Sequence, residues 1–213
     1  MKSIYCISGL GANEKVFSHL QFGDNKVTFI KWKIPEKKDE PIHEYAKRMA
    51  EEITDKNPIL VGLSFGGMMS IEIAKIIPVE KVILISSIKD FHEMPLFMRI
   101  AGKLKLDKII PLKPYKFLNR YQNYRLGVET EEQKNLVNEY RLTVNQQYMD
   151  WAIHQILNWK NEWVPDQLVH IHGGSDRIFP LKKLKANYSI SSGGHMMLIN
   201  NAAEVNKILK EII

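Results

Sequence analysis

Two rhythms of apolar residues alternate along this chain. Short unbroken runs occur at Ile4-Tyr5-Cys6-Ile7, at Ile59-Leu60-Val61 and at Val82-Ile83-Leu84-Ile85, and mostly apolar ones at 27–32 and 168–172. Between the early runs, apolar positions recur every three or four residues, as in Ile42, Tyr45, Ala46, Met49, Ala50 and Ile53. The runs predict strands covered on both faces, and the spaced positions predict amphipathic helices. In order, the chain reads as a strand at 4–7, a helix at 13–20 capped by Asn13, and a strand at 27–32. A charged loop at 35–40 and a helix from 42 follow. Asn57-Pro58 breaks that helix before a strand at 59–63, a helix at 68–77 and a strand within 81–86.

The alternation then stops. From 88 to 163 no strand pattern occurs, and amphipathic segments lie near 97–104, 131–144 and 147–159. A strand returns at 168–172, a short one follows at 188–190, and 202–213 reads as a final helix. The prediction is an α/β fold with a parallel sheet flanked by helices and a helical block inserted after the fourth strand. No internal repeat or low-complexity segment interrupts it.

Composition adds boundaries to this picture. The 213 residues are 45% apolar and 25% charged, which is ordinary for a globular chain with a sizeable core. Cys6 is the single cysteine, so an intrachain disulfide is excluded, and a reducing, cytoplasmic setting is expected. The N-terminal apolar run is too short for a signal peptide, and no stretch reaches membrane-spanning length, so stable membrane insertion is not expected. Nor is a nucleic-acid partner expected from the modest net charge of +6.

Chemistry concentrates at three places. Gly62-Leu63-Ser64-Phe65-Gly66-Gly67 joins a predicted strand to a predicted helix. The G-x-S-x-G pattern in that context is a nucleophile elbow, with glycines relieving a crowded turn and a strained, exposed serine at its apex. A serine nucleophile needs a base, and the base needs a group that holds its tautomer. His195, in Ser192-Gly193-Gly194-His195, lies between the last strand and the last helix. Asp176, in His172-Gly173-Gly174-Ser175-Asp176, follows the strand ending near His172. All three would lie at the carboxyl edge of the sheet, where open α/β sheets bind ligands. Asp90, after the fourth strand, is the rival acid.

These motifs, in the order Ser64, Asp176, His195, resemble the α/β-hydrolase superfamily, and the chain looks like a small capped serine esterase. The resemblance implies a mostly parallel sheet of about six strands lacking the N-terminal hairpin. It also implies a core formed by 1–87 and 164–213 and a helical cap at 88–163. It implies a catalytic set of Ser64, His195 and Asp176, with oxyanion donors at the backbone N–H groups of Phe65 and Leu10. The usual His-Gly of the oxyanion loop is Ser8-Gly9 here. The short gap from Asp176 to His195 implies a reduced helix near 181–184. The expected reaction is cleavage of a small carboxylic ester or related acyl substrate, with no metal and no organic cofactor. A lyase or C–C hydrolase acting on an anionic molecule, an amidase or thioesterase, and a slow-turnover ligand sensor share the same fold and stay open.

Other features have plainer readings. His170 and His172 alternate on one strand and share a face, but no third metal ligand accompanies them, so His172 is expected to pack beneath the acid loop. Gly9 and Gly11 lack the lysine of a phosphate loop. Cys6 reads as a core residue. Arg99, Lys103, Lys105, Lys108, Lys113, Lys116, Arg120 and Arg125 face a single acid, Asp107, in their stretch. A solvated helix face, steering of an anionic substrate, and contact with an anionic membrane are the three readings of that block.

Overall fold

The structure is a computed structural model that describes residues 1–109 and 118–213. Six strands form one sheet: β1 (Ser3–Ile7), β2 (Lys26–Ile30), β3 (Ile59–Leu63), β4 (Lys81–Ile85), β5 (Leu168–Gly173) and β6 (Tyr188–Ile190). Their order is β2-β1-β3-β4-β5-β6, and every neighbouring pair is parallel. The chain runs from β1 outward to β2, then returns past β1 to β3 and continues the other way. The reversal therefore falls between β1 and β3, whose carboxyl ends flank the crevice where such sheets take ligands.

Alternate side chains on each strand feed two cores. Tyr5, Ile7, Leu60, Val82 and Leu84 face one layer, built by α1 (Ile42–Ala50) and α2 (Phe65–Ala74). Ile4, Cys6, Ile59, Val61, Ile83 and Ile85 face the other, closed by a 3-10 turn at Glu14–Phe17, α8 (Met197–Asn200) and α9 (Ala202–Ile212). Between β4 and β5 lie α3 (Leu96–Lys103), α4 (Leu106–Ile109), α5 (Asn119–Leu126), α6 (Glu131–Thr143) and α7 (Gln146–Asn158). α7 returns to the first core and buries Tyr148, Trp151 and Ala152 there.

Several boundaries differ from the sequence pattern for identifiable reasons. Residues 13–20 form only the 3-10 turn: Asn13 caps it by accepting from the Lys15 N–H at 3.0 Å, and the adjacent Val16 and Phe17 both enter the core. β2 stops at Ile30, because Lys33 bonds through both its N–H (2.8 Å) and its carbonyl (2.7 Å) to the Tyr45 hydroxyl and so leaves the sheet. α1 ends at Ala50, after which the Thr54 N–H (3.3 Å) and the Asp55 carboxylate (2.6 Å) are drawn to the Tyr5 hydroxyl. α2 begins three residues before the amphipathic stretch, since nearly every one of its positions is buried and no polar stripe marks its start.

Trp151 ties the inserted helices to the α1 layer. Its ring stacks on Tyr45 at 4.0 Å between centroids, and its Nε1–H donates to the Glu40 carbonyl at 2.7 Å. Glu40, itself buried, is held by a two-pronged pair with Arg48, each bond 2.8 Å. Trp151→Ala should lower the unfolding free energy by about 3–5 kcal/mol. Urea denaturation measures this, and a loss below about 1 kcal/mol would contradict the placement.

Candidate active site

The elbow is built on close backbone packing. A Cβ at Gly62 would run into the backbone of Gly66 and Gly67, and one at Gly66 would run into the carbonyls of Ile7 and Ser8. With those side chains absent, α2 starts directly over the ends of β1 and β3. Ser64 between them takes φ 52° and ψ −118°, a region that L-residues rarely adopt. Its backbone is pinned: its N–H donates to Ile85 O at 2.9 Å. Its carbonyl accepts from Gly67 N at 2.9 Å and from Ser87 Oγ at 2.6 Å. The strain is thus held by these three hydrogen bonds, leaving the side chain at the sheet edge.

His195 and Asp176 meet Ser64 there. The Ser64 hydroxyl donates to His195 Nε2 at 3.0 Å, and His195 Nδ1–H donates to Asp176 Oδ2 at 2.8 Å. The acid loop closes on itself: Asp176 Oδ1 accepts from the N–H groups of Ile178 (2.7 Å) and Phe179 (2.9 Å). Burial raises the cost of the Asp176 charge. The imidazolium that His195 can form, and the hydrogen bonds from His195 and the loop, more than offset it, and the carboxyl lies below its ordinary value. The acid and base loops touch through backbone, since a Cβ at Gly173 would strike the Gly193 carbonyl.

Beneath the acid loop lies a second, neutral pair. The Phe179 carbonyl can only accept, so the proton of His172 sits on Nε2, which donates to it at 2.8 Å. His172 Nδ1 then accepts from His170 Nε2–H at 3.2 Å. His172 Nε2 also lies 3.5 Å from Asp176 Oδ2. Both rings are fully buried. Burial pushes both below the ordinary histidine range, His170 to about 3, reinforced there by its neighbour His172. Among the described residues, no group of three or more His, Cys, Asp or Glu is arranged to hold a metal ion.

The two expected oxyanion donors flank the serine differently. Phe65 is the first residue of α2, so its N–H points from the positive end of a buried helix. Its ring stacks on Trp32 with centroids 4.9 Å apart and planes 9° from parallel. Leu10 belongs to the loop after β1, which approaches Ser64 at Gly9: a Cβ there would lie 3.4 Å from that of Ser64. Ser8, standing where a histidine is usual, braces this loop. Its hydroxyl donates to Ala12 O at 2.7 Å and accepts from Trp32 Nε1–H at 3.1 Å. Trp32 was not apparent as a site element from the sequence; its adjacency to the strand end was the only cue.

The competing residues lie elsewhere. Asp90 caps the turn Phe91–Glu93, accepting from the N–H groups of His92 (2.8 Å) and Glu93 (3.1 Å). His19 pairs with Glu132 (3.3 Å) and His92 faces Glu162 (3.9 Å) on the surface. His43 is exposed on α1. His154 bonds Asp107 at 2.6 Å, a half-buried pairing across the insertion that sequence spacing could not reveal. Cys6 is buried mid-strand, and burial pushes its thiol up.

This arrangement of sheet, elbow and loops is the α/β-hydrolase fold. Solved structures share it along nearly the whole chain. They include MenH from S. aureus (TM-score 0.75, 16% identity, 99% of this chain and 92% of that one). A lipase-esterase related protein from Clostridium acetobutylicum ATCC 824 is another (0.73, 18%, 100% and 94%). A thermophilic esterase from Thermogutta terrifontis is a third (0.72, 13%, 99% and 89%). The model of a family described as "Uncharacterised protein family (UPF0227)" matches residues 11–190, and the chain belongs to that family. Comparison with curated proteins gave no match.

The neutral histidines carry a pH signature. The folded state leaves His170 unprotonated down to about 3, whereas an unfolded chain protonates it near 6.5. Between those values the unfolded state binds more protons, so stability falls as pH drops. From pH 7 to 5 this residue alone contributes a loss of about 2 kcal/mol. In His170→Gln, which keeps a donor but does not titrate, the decline measured by denaturation over that range should be shallower by about that amount. An unchanged slope would contradict it.

Proposed function

We propose that this protein is a serine hydrolase that cleaves a small carboxylic ester through an acyl-enzyme on Ser64. The observation that carries the reading is the unbroken line of hydrogen bonds from the Ser64 hydroxyl through His195 to the buried Asp176, at the apex of a strained elbow. The fold it shares with an esterase and a lipase-esterase related protein supports the same class of chemistry.

In the proposed reaction Ser64 Oγ attacks the acyl carbon while its proton passes to His195 Nε2. Asp176 keeps the other ring nitrogen protonated and stabilises the imidazolium. The tetrahedral oxyanion accepts hydrogen bonds from the Phe65 and Leu10 N–H groups, the first strengthened by the α2 terminus. His195 then gives its proton to the departing alkoxide, leaving the acyl group on Ser64. A water, deprotonated by the same ring, attacks the acyl carbon; collapse of the second oxyanion releases the acid and returns the proton to Ser64. No step calls for a metal or an organic cofactor. In this reading residues 1–87 and 164–213 form the catalytic core, and 88–163 form a cap. Among the described residues no helix is long and apolar enough to cross a membrane, and the lone buried thiol suits a reducing cytoplasm.

With a short-chain p-nitrophenyl ester, Ser64→Ala should lower kcat/KM by at least about 10³-fold, and Asp176→Asn by about 10⁴-fold, with circular dichroism unchanged. Wild-type turnover by either variant would refute the assignment. Tight ligand binding by a wild type that turns over no ester, thioester or amide would assign the site to sensing instead.

A further inference from the structure

The inserted helices present a face that the proposed reaction does not use. On α3, Leu96, Phe97, Ile100 and Leu104 just beyond it are each 47–57% exposed and lie within about a third of a turn-plot circle. Arg99 and Lys103 flank that arc on the solvent side. The opposite side is the packed one: Met98 joins the first core, and Gly102 lets the helix close on the backbone of Leu157 in α7. α5 continues the face, with Tyr121 and Tyr124 exposed, and Arg125 spans both helices by lying over the rings of Phe97 (5.2 Å) and Tyr121 (5.9 Å).

Among the described residues the cations of this face have no paired acid, and Arg99, Lys103, Lys105, Lys108 and Arg120 are exposed. Asp107, the single acid in the stretch, has turned inward: its side chain is 3% exposed and bonded to His154. Lys113 and Lys116 lie outside the described residues. The same face borders the site. Leu126 O accepts from Met196 N at 3.2 Å beside His195, and Arg177, next to Asp176, lies over the Tyr124 ring at 4.0 Å and donates to its carbonyl.

We propose that α3 and α5 form a docking surface for an anionic lipid membrane. An arc of aliphatic and aromatic side chains edged by lysine and arginine matches the boundary between acyl chains and negatively charged headgroups. A soluble polyanion would be drawn by the cations but would leave the aliphatic arc without a chemical counterpart, whereas an anionic bilayer offers both partners along the whole arc. The inference does not depend on the reaction at Ser64.

The test is cosedimentation of the full chain with vesicles of phosphatidylcholine, alone or with about one-third phosphatidylglycerol, at about 0.1 M and 0.5 M salt. Binding should require the anionic lipid and weaken with salt. It should fall about tenfold or more in the double variants Ile100→Glu/Leu104→Glu and Lys103→Glu/Lys105→Glu. These positions are exposed, and circular dichroism checks that both variants fold. Absence of binding, equal binding to neutral vesicles, or binding unchanged in either double variant overturns the proposal. So does a concentration-dependent dimer, seen by sedimentation equilibrium, that the apolar double variant dissolves, because it assigns the face to a second copy of the chain.

Discussion

The close approach of α2 to the ends of β1 and β3 governs the geometry of everything around it. The backbones meet there with no room for side chains at Gly62 and Gly66. A helix that begins over the sheet edge forces the connecting residue into a left-handed backbone conformation. Ser64 carries that strain, and its carbonyl and N–H are consumed by neighbouring strands and loops, so only its side chain remains available for chemistry. The same start places the first N–H of α2 beside the hydroxyl. One steric constraint therefore supplies the proposed nucleophile and its proposed oxyanion donor together.

What surrounds the elbow keeps it in place and sets its electrostatics. Trp32 stacks on Phe65 from the β2 side and bonds Ser8, so the loop carrying Leu10 and the start of α2 are braced by one ring. Beneath the acid, His172 grips the Phe179 carbonyl while staying neutral, and Phe179 in turn donates its N–H to Asp176. Asp176 is thus held by fixed hydrogen-bond donors, with His195 on one oxygen and the loop N–H groups on the other. Buried neutral histidines add rigidity at neutral pH at the expense of acid stability.

Much of this architecture could be read from residues. The central strands β1, β3 and β4 announce themselves because both faces are buried, which makes each a mostly unbroken apolar run, and the expected bounds 59–63 and 188–190 match β3 and β6 to the residue. Ser64, Asp176 and His195 were legible because each sits beside glycines at the end of a strand. Features that depend on meetings distant in sequence were not. The Asp107–His154 bond joins positions in α4 and α7, and the Trp32–Phe65 stack joins a strand end to a helix start. α5 was missed because Asn119–Leu126 is polar around most of its circumference and lacks an apolar stripe. The helix expected at 13–20 shrank to a 3-10 turn because Val16 and Phe17, side by side, both go inward.

The central claim is that Ser64 carries the acyl group during turnover. Acid-quenching the protein in the presence of a slowly hydrolysed ester and mapping the product by peptide mass spectrometry addresses it directly. The expected result is a single acyl mass increment on the peptide containing Ser64, appearing before the steady state and lost as substrate is exhausted. Ester turnover with no increment on Ser64, or with the acyl group on another residue, would contradict the account.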